Sequence, residues 1–288
     1  TLYGGSNIEG HITGSVLMNI KGGQLGEEAG ISTNDYYDRD TLFGGGLGSS
    51  TKVLGRILLN INEQNNNLKI YGNVFGGSSL GAISNNITIN INDTESANKI
   101  SIIGNVFGGG KGNSNTSAIV SGNIKINVDG SDLQNTSIFG GSDINGNIKG
   151  NIDIRIGENH KSTIYAVYGG GNKASINMDT KEVKVNILGN AEITNAFNGG
   201  KSADLLSAGE EDTTRGIYLI GGTVKNIYGG SDSSGIVSAS NVYIQSGKAI
   251  NVYGGNNQGG TTTTTNIKIQ GGNIENAYGG GEKAETTT

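Results

Sequence analysis

The sequence predicts an all-β protein, a parallel β-helix (β-solenoid) of about ten coils with almost no helix. Three observations predict it. A short motif, aliphatic–aromatic–Gly–Gly, recurs along the whole chain. Between its copies run segments in which β-branched residues alternate with polar ones, the mark of a strand with one buried face. The composition also forbids an ordinary globule: 33% of the 288 residues are hydrophobic, 52 are glycine, and proline, cysteine and tryptophan are absent. So few apolar side chains offset the lost chain entropy only when they stack into a thin, continuous core.

The motif begins at Leu2-Tyr3 and returns at Leu42-Phe43, Val74-Phe75, Val106-Phe107, Ile138-Phe139, Val167-Tyr168, Ala196-Phe197, Ile227-Tyr228, Val252-Tyr253 and Ala277-Tyr278. Successive aromatics are 40, 32, 32, 32, 29, 29, 31, 25 and 25 residues apart. The seventh copy departs from the rest and reads as an insertion of Asn198 before Gly199-Gly200. The alternating element follows each copy, as in Val16-Met18-Ile20, Ile57-Leu59-Ile61, Ile87-Ile89-Ile91, Ile124-Ile126-Val128, Ile152-Ile154-Ile156 and Val183-Val185-Ile187. Near the C-terminus Ile267-Lys268-Ile269, Gly271-Gly272, Ile274 and Tyr278-Gly279-Gly280 close one circuit in 25 residues: strand, turn, short strand, corner.

A unit of that size is one coil, paired at ~4.8 Å with the coils on either side, so ten coils make a rod on the order of 45–50 Å long. The parallel crossovers are right-handed by the general rule for such connections. Glycine pairs supply the corners, and asparagine tolerates the left-handed backbone and stacks as an amide ladder. Proline would delete a ladder hydrogen bond in every interior coil, and there is none. Residues in excess of the basic coil fall in three insertions, 24–40, 92–99 and 202–215. The reading is a single solenoid domain over 1–281, with 282–288 as a linker or frayed tail. Neither end carries a capping segment, and an open β-edge is an aggregation hazard, so further repeats of the same polypeptide are expected at both ends.

Several function classes drop out. The formal charge of −5 argues against a nucleic-acid partner, whose phosphates call for a basic surface. Without cysteine there is no disulfide scaffold, and without a long apolar run there is no direct membrane insertion. Collagen is excluded because glycine is not every third residue.

Coils carrying Val167-Tyr168-Gly169-Gly170 or Val74-Phe75-Gly76-Gly77, linked by Ile-x-Ile strands, resemble repeats in large, surface-exposed, adhesin-like bacterial proteins, met most often in anaerobic Gram-positive species. The likeness covers residues 2–281. It implies a secreted or cell-surface location and a host or neighbouring-cell glycan or protein as partner, and it carries no catalytic residues.

The candidate functional positions are two. Phe43, Phe75, Phe107, Phe139, Tyr168, Phe197, Tyr228, Tyr253 and Tyr278, with Tyr3, form a column, either an exposed platform for sugar rings or part of the core. The core reading is favoured, because the middle members are mostly Phe and a ten-rung exposed stripe exceeds what soluble monomers tolerate. The loops supply the second set: Asp35, Tyr36, Tyr37, Asp38, Arg39 and Asp40 in the first insertion, and Glu210, Glu211, Asp212 and Arg215 in the last. They are binding candidates because constant coils with variable insertions usually carry function in the insertions.

No cofactor is expected. Structural calcium is conceivable at the acidic loops, yet neither matches a calcium-loop spacing. His11 and His160 have no metal-ligand partners in sequence. Asp143 and Asp232, both after Gly-Gly-Ser, lie three repeats apart, too far for paired carboxylate chemistry. The Thr261–Thr265 run occurs once and reads as a polar β-segment. The expectation is therefore a non-catalytic structural and binding module. The alternatives are a polysaccharide lyase or hydrolase of the parallel β-helix type, and a self-assembling filament subunit.

Overall fold

The computed structural model describes residues 1–27, 40–62, 67–93, 100–180, 182–207, 209 and 212–286, and every regular element among them is a strand. All coil-to-coil pairing is parallel. Two sheets of ten strands run the length of the rod. One contains the aromatic motif, from Leu2–Tyr3 to Asn273–Tyr278; the other contains the Ile-x-Ile strands, from Val16–Ile20 to Glu285–Thr286. A five-stranded sheet (Glu9–Ile12 to Gly146–Ile148) and a three-stranded one (Gly23–Leu25, Leu68–Ile70, Ile100–Ile102) complete the N-terminal coils.

Later coils are shorter because these side sheets merge into the long ones. Parallel bridges Ile176↔Leu205 and Leu205↔Val237 carry the five-stranded face onward, and Ile236–Ile244 runs through both it and the Ile-x-Ile sheet. The leading half of Asp132–Phe139 takes over beside Ile100–Ile102, where Thr136 Oγ1 donates to the Ile102 carbonyl at 2.6 Å. A coil can thus lose residues without breaking a ladder.

The register explains why 33% hydrophobic residues suffice. Ile57, Ile87, Ile124, Ile152 and Val183 pair in one inward column, and Leu59, Ile89, Ile126, Ile154, Val185 and Ile217 in the next. Every one of them is buried, within one continuous aliphatic core. The motif aromatics form a second, separate core. Adjacent residues of a strand face opposite ways, so Val106 enters the aliphatic core while Phe107 enters the ring column, and both are buried. From Tyr3 to Tyr278 the rings stack at centroid distances of 4.5–5.0 Å with no more than 13° between planes. Nine such steps span about 43 Å, as the inter-strand spacing requires.

The column leans. Tyr168 donates its hydroxyl to Asp232 Oδ2 at 3.1 Å, and Tyr228 donates to Glu282 Oε2 at 2.6 Å. Each acceptor stands four residues after the aromatic of the coil two further on. Burial, then the adjacent carboxylate, raises both phenols above the ordinary tyrosine range.

At the corner after each aromatic, the backbone of one coil lies against the next. A Cβ on Gly140 would sit 2.5 Å from the Gly169 carbonyl oxygen and 2.5 Å from Ile152 Cγ2. Asn198 corrects the expectation of an insertion. Its N–H donates to the Tyr228 carbonyl, as Gly169 N–H does to Phe197, so Asn198 replaces the first glycine and shifts nothing. In the column that places Ile152 at Gly140 and Val183 at Gly169, the next position is Arg215, whose long side chain turns away to the Leu206 and Thr180 carbonyls. The pairing also continues beyond Gly281: Glu282 and Lys283 donate to Asn256 and Asn257, and Glu285–Thr286 pairs with Thr261–Thr262. Residues of the 282–286 stretch thus pair with the coil before them.

Candidate functional site

The outward side of the Ile-x-Ile sheet carries rows of amides and charged side chains. Alternation leaves every second residue of these strands on the outer face. In register along the axis, one outer column reads Leu17, Leu58, Thr88, Lys125, Asp153, Lys184. The column beside it reads Asn19, Asn60, Asn90, Asn127, Arg155, Asn186, Tyr218, Tyr243. At the strand entrance Asn86, Asn123, Asn151 and Glu182 make a third column, in the turn. The middle coils of these three columns enclose a groove of about 490 Å³ that crosses four coils.

The turn column is a ladder with a direction. Asn86 Oδ1 accepts the Asn123 N–H at 2.9 Å, Asn123 Oδ1 accepts the Asn151 N–H at 2.9 Å, and Asn151 Oδ1 accepts the Glu182 N–H at 3.3 Å. Each amide commits one lone pair of Oδ1 to the next coil and keeps its NH2. Asn151 gives that NH2 to Glu182 at 3.3 Å, while Asn86 and Asn123 lie exposed at the groove. The outer amide column is bonded side chain to side chain: Asn60 donates to Asn19, Asn90 to Asn60 and Asn127 to Asn90, at 2.7–2.8 Å.

The charges enter where this amide pattern stops. Lys184 Nζ lies 3.3 Å from Glu182 Oε2, Asn186 donates to Asp153 Oδ1 at 2.7 Å, and Arg155 pairs with Glu158 at 2.9 Å. Lys125 is exposed on the coil before Asp153. Tyr218 and Tyr243 continue the line, their rings stacked at 4.9 Å. Burial, together with Tyr243, Glu182 and Asp212, pushes the Tyr218 phenol up to about 12.

Of the loop candidates, Asp35, Tyr36, Tyr37, Asp38, Arg39, Glu210 and Glu211 lie outside the described residues. Asp40 is half-buried with φ 61°, the left-handed region that aspartate tolerates better than most. Arg215 is not on a surface loop: it is 2% exposed, inside the wall. Its guanidinium donates to the Leu206 and Thr180 carbonyls, and its Nε lies 3.3 Å from Asp212 Oδ2. Burial lowers its pKa, against the pull of Asp212. The structure gives Arg215 a packing role and leaves Asp212 half-exposed beside it.

The other singled-out residues resolve as follows. The rings of Phe43, Phe75, Phe107, Phe139, Tyr168, Phe197 and Tyr228 are buried, so no sugar reaches their faces. Asp143 accepts from Asn172 at 2.7 Å, and Asp232 from Tyr168 and Asn257. Thr262 is fully buried and donates to Asn256. His160 is exposed and pairs with Asp129 across adjacent coils, Nδ1 to Oδ2 at 3.2 Å. Burial raises the Asp129 pKa, but the His160 and Asn159 hydrogen bonds outweigh it and hold the carboxyl below its ordinary value. Among the described residues, no three His, Cys, Asp or Glu side chains gather as a metal set.

Comparison with known proteins finds no matching family model, no matching curated protein and no matching solved structure.

Proposed function

We propose that this chain is a non-catalytic structural and binding module of a secreted or cell-surface bacterial protein, a stiff solenoid that offers the outer groove to a surface glycan. The observation that carries the reading is the placement of that groove. It runs along the rod axis over four coils, floored by strands whose inward residues belong to the continuous aliphatic core. Its amides, carboxylates and ammonium groups, with Tyr218 and Tyr243 continuing the same outer column beyond it, make the mixture that hydroxyl-rich, extended ligands require. The groove is rigid because its walls are ladder positions, so little ordering entropy opposes binding. A glycan array probed with this chain tests the reading. Retention of one or more linear glycans, lost on Lys184→Ala or Tyr218→Ala with the β-sheet circular dichroism unchanged, is the expected result. An array with no retained glycan defeats it.

A second reading, polysaccharide cleavage, has one specific observation in its favour. Asp153 pairs with Lys184, and Glu182 precedes the residue opposite Ile152, so the two carboxylates stand on adjacent coils, offset by two residues on one face. Strand geometry puts their Cα atoms about 8 Å apart. An inverting glycosidase separates its two carboxyl groups, not their Cα atoms, by roughly 6.5–9.5 Å, so this backbone spacing brings the pair only into the neighbourhood of such a site. Against it, Glu182 is engaged by Lys184 and Asn151, and Asp153 by Asn186. Release of reducing ends from a retained glycan, abolished by Asp153→Asn and by Glu182→Gln, would establish cleavage and replace the non-catalytic reading.

A further inference from the structure

We infer that the groove selects an acidic polysaccharide, one bearing carboxylates along a linear chain, and holds it lengthwise through donors repeated from coil to coil. This rests on the glycan-binding reading and specifies its ligand. The argument begins with the direction of the turn ladder. Asn86 and Asn123 each commit one lone pair of Oδ1 to the next coil's N–H, which orients the amide and leaves both NH2 protons for a ligand. The ladder therefore sorts the amides and presents donors on successive coils, at the ~4.8 Å inter-strand repeat.

Lys125 adds an exposed ammonium in the same coil as Asn123, and no hydrogen bond or ion pair engages it among the described residues. Arg155 adds a half-exposed guanidinium in the following coil. Its partner Glu158 is a residue of its own coil at an exposed position, and an exposed pair of that kind contributes little and exchanges readily with a ligand carboxylate. The groove lining sets three cations, Lys125, Arg155 and Lys184, against two carboxylates, Asp153 and Glu182, a balance of +1 in a chain whose net charge is −5. It selects an acceptor-rich, anionic ligand.

Asp153 narrows the class. One of its oxygens accepts from Asn186, and the carboxylate has further lone pairs at the groove. A bare polyphosphate or polysulfate has no donors for it and is repelled, whereas a polyuronate brings hydroxyls to donate and carboxylates to accept. Among anionic polymers the arrangement therefore favours sugar carboxylates over a chain of pure anions.

The test titrates the chain, by calorimetry at low and moderate salt, with polygalacturonate, carboxyl-reduced polygalacturonate and dextran sulfate. The first is expected to bind. The second, equal in backbone but neutral, is expected to bind at least ten-fold more weakly, and dextran sulfate likewise. Asn123→Asp keeps the oxygen that accepts the Asn151 N–H and removes the NH2, so it should leave the thermal melt in place and weaken polygalacturonate ten-fold or more. Lys125→Glu should do the same and Lys125→Arg should restore binding. Equal affinity for the acidic and reduced polymers overturns the acidic selectivity and leaves glycan binding standing. Tighter binding of dextran sulfate overturns the carboxylate assignment. Binding of none of the three overturns this inference, and the glycan array then decides separately whether the broader reading survives. Full binding by Asn123→Asp and Lys125→Glu overturns the groove as the site.

Discussion

Truncation of Phe107 to alanine isolates what the ring column contributes. Phe107 is 1% exposed and stacks between Phe75 at 4.7 Å and Phe139 at 4.8 Å. Removing a buried phenylalanine ring costs about 3–5 kcal/mol where the surroundings cannot collapse. Collapse is obstructed here, since the rings on either side are held at the strand spacing by their own coils. Two ring pairs at about 0.5–1.5 kcal/mol each account for part of that cost, and lost burial for the rest. Tyr278 is the control. It is 48% exposed and stacks on one neighbour, Tyr253, at 5.0 Å, so Tyr278→Ala should cost about 1 kcal/mol. Urea unfolding followed by circular dichroism measures both, and protection of the amide at Gly108, which donates to the Phe139 carbonyl, reports the local opening if the rod does not unfold as one unit. Equal shifts for the two variants, or a shift below about 1 kcal/mol for Phe107→Ala, would refute the claim that the column is a second core.

Three further outcomes are expected. Arg215→Lys keeps the charge but loses the planar fork that reaches two carbonyls, so it should lower stability by more than ~1 kcal/mol in the same urea assay. The Asp129 carboxyl has a folded pKa below its unfolded value near 4, so it contributes stability above that pH and loses it as the pH falls further. Asp129→Asn should accordingly narrow the gap between the urea midpoints at pH 7 and pH 3. The Tyr168 and Tyr228 phenols have folded values raised above ~10, so their contribution is complete below that pH and lost as the pH climbs towards the folded values. A Tyr168→Phe/Tyr228→Phe double variant should flatten the alkaline fall in stability, and an unchanged profile would show that these phenols are not the groups responsible.

The coil architecture was legible because it is a property of spacing. Ten aromatics in register and β-branched residues at every second position specify parallel ladders without any knowledge of side-chain contacts. Three features escaped for one reason, that each depends on the register between coils. Asn198 reads as an insertion when the Gly pair anchors the alignment. The backbone instead aligns Asn198 with Gly169 and Gly229, so that Gly200 falls in line with Gly171 and Ser231. Arg215 read as loop charge because its place in the Ile87, Ile124, Ile152, Val183 column appears only once the strands are paired. The groove is built from the x residues of the Ile-x-Ile strands, which line up only once the coils are paired. Aligned coil by coil, Thr88, Lys125, Asp153 and Lys184 are a signal present in the sequence.

That signal also bears on whether the rod is more than a spacer. Inward columns and corners are fixed by the fold: a polar residue there strands a buried group, and a Cβ at Gly140 collides with the next coil. Outer positions answer to no such demand, so a spacer needs only that they be soluble and that like charges stay apart. The first outer column begins with Leu17 and Leu58, Leu17 being 62% exposed, which shows how little the fold asks of it. It then turns charged over three consecutive coils, Lys125, Asp153 and Lys184, while the adjacent amide column takes in Arg155 at the same level. The inward residues of those coils remain Ile and Val throughout. A change confined to the outside of three coils cannot be a requirement of the ladder. The alternating signs of Lys125, Asp153 and Lys184 also meet a spacer's demand that like charges stay apart, so the Asn123→Asp and Lys125→Glu titrations, and not the pattern alone, decide between spacer and binding surface.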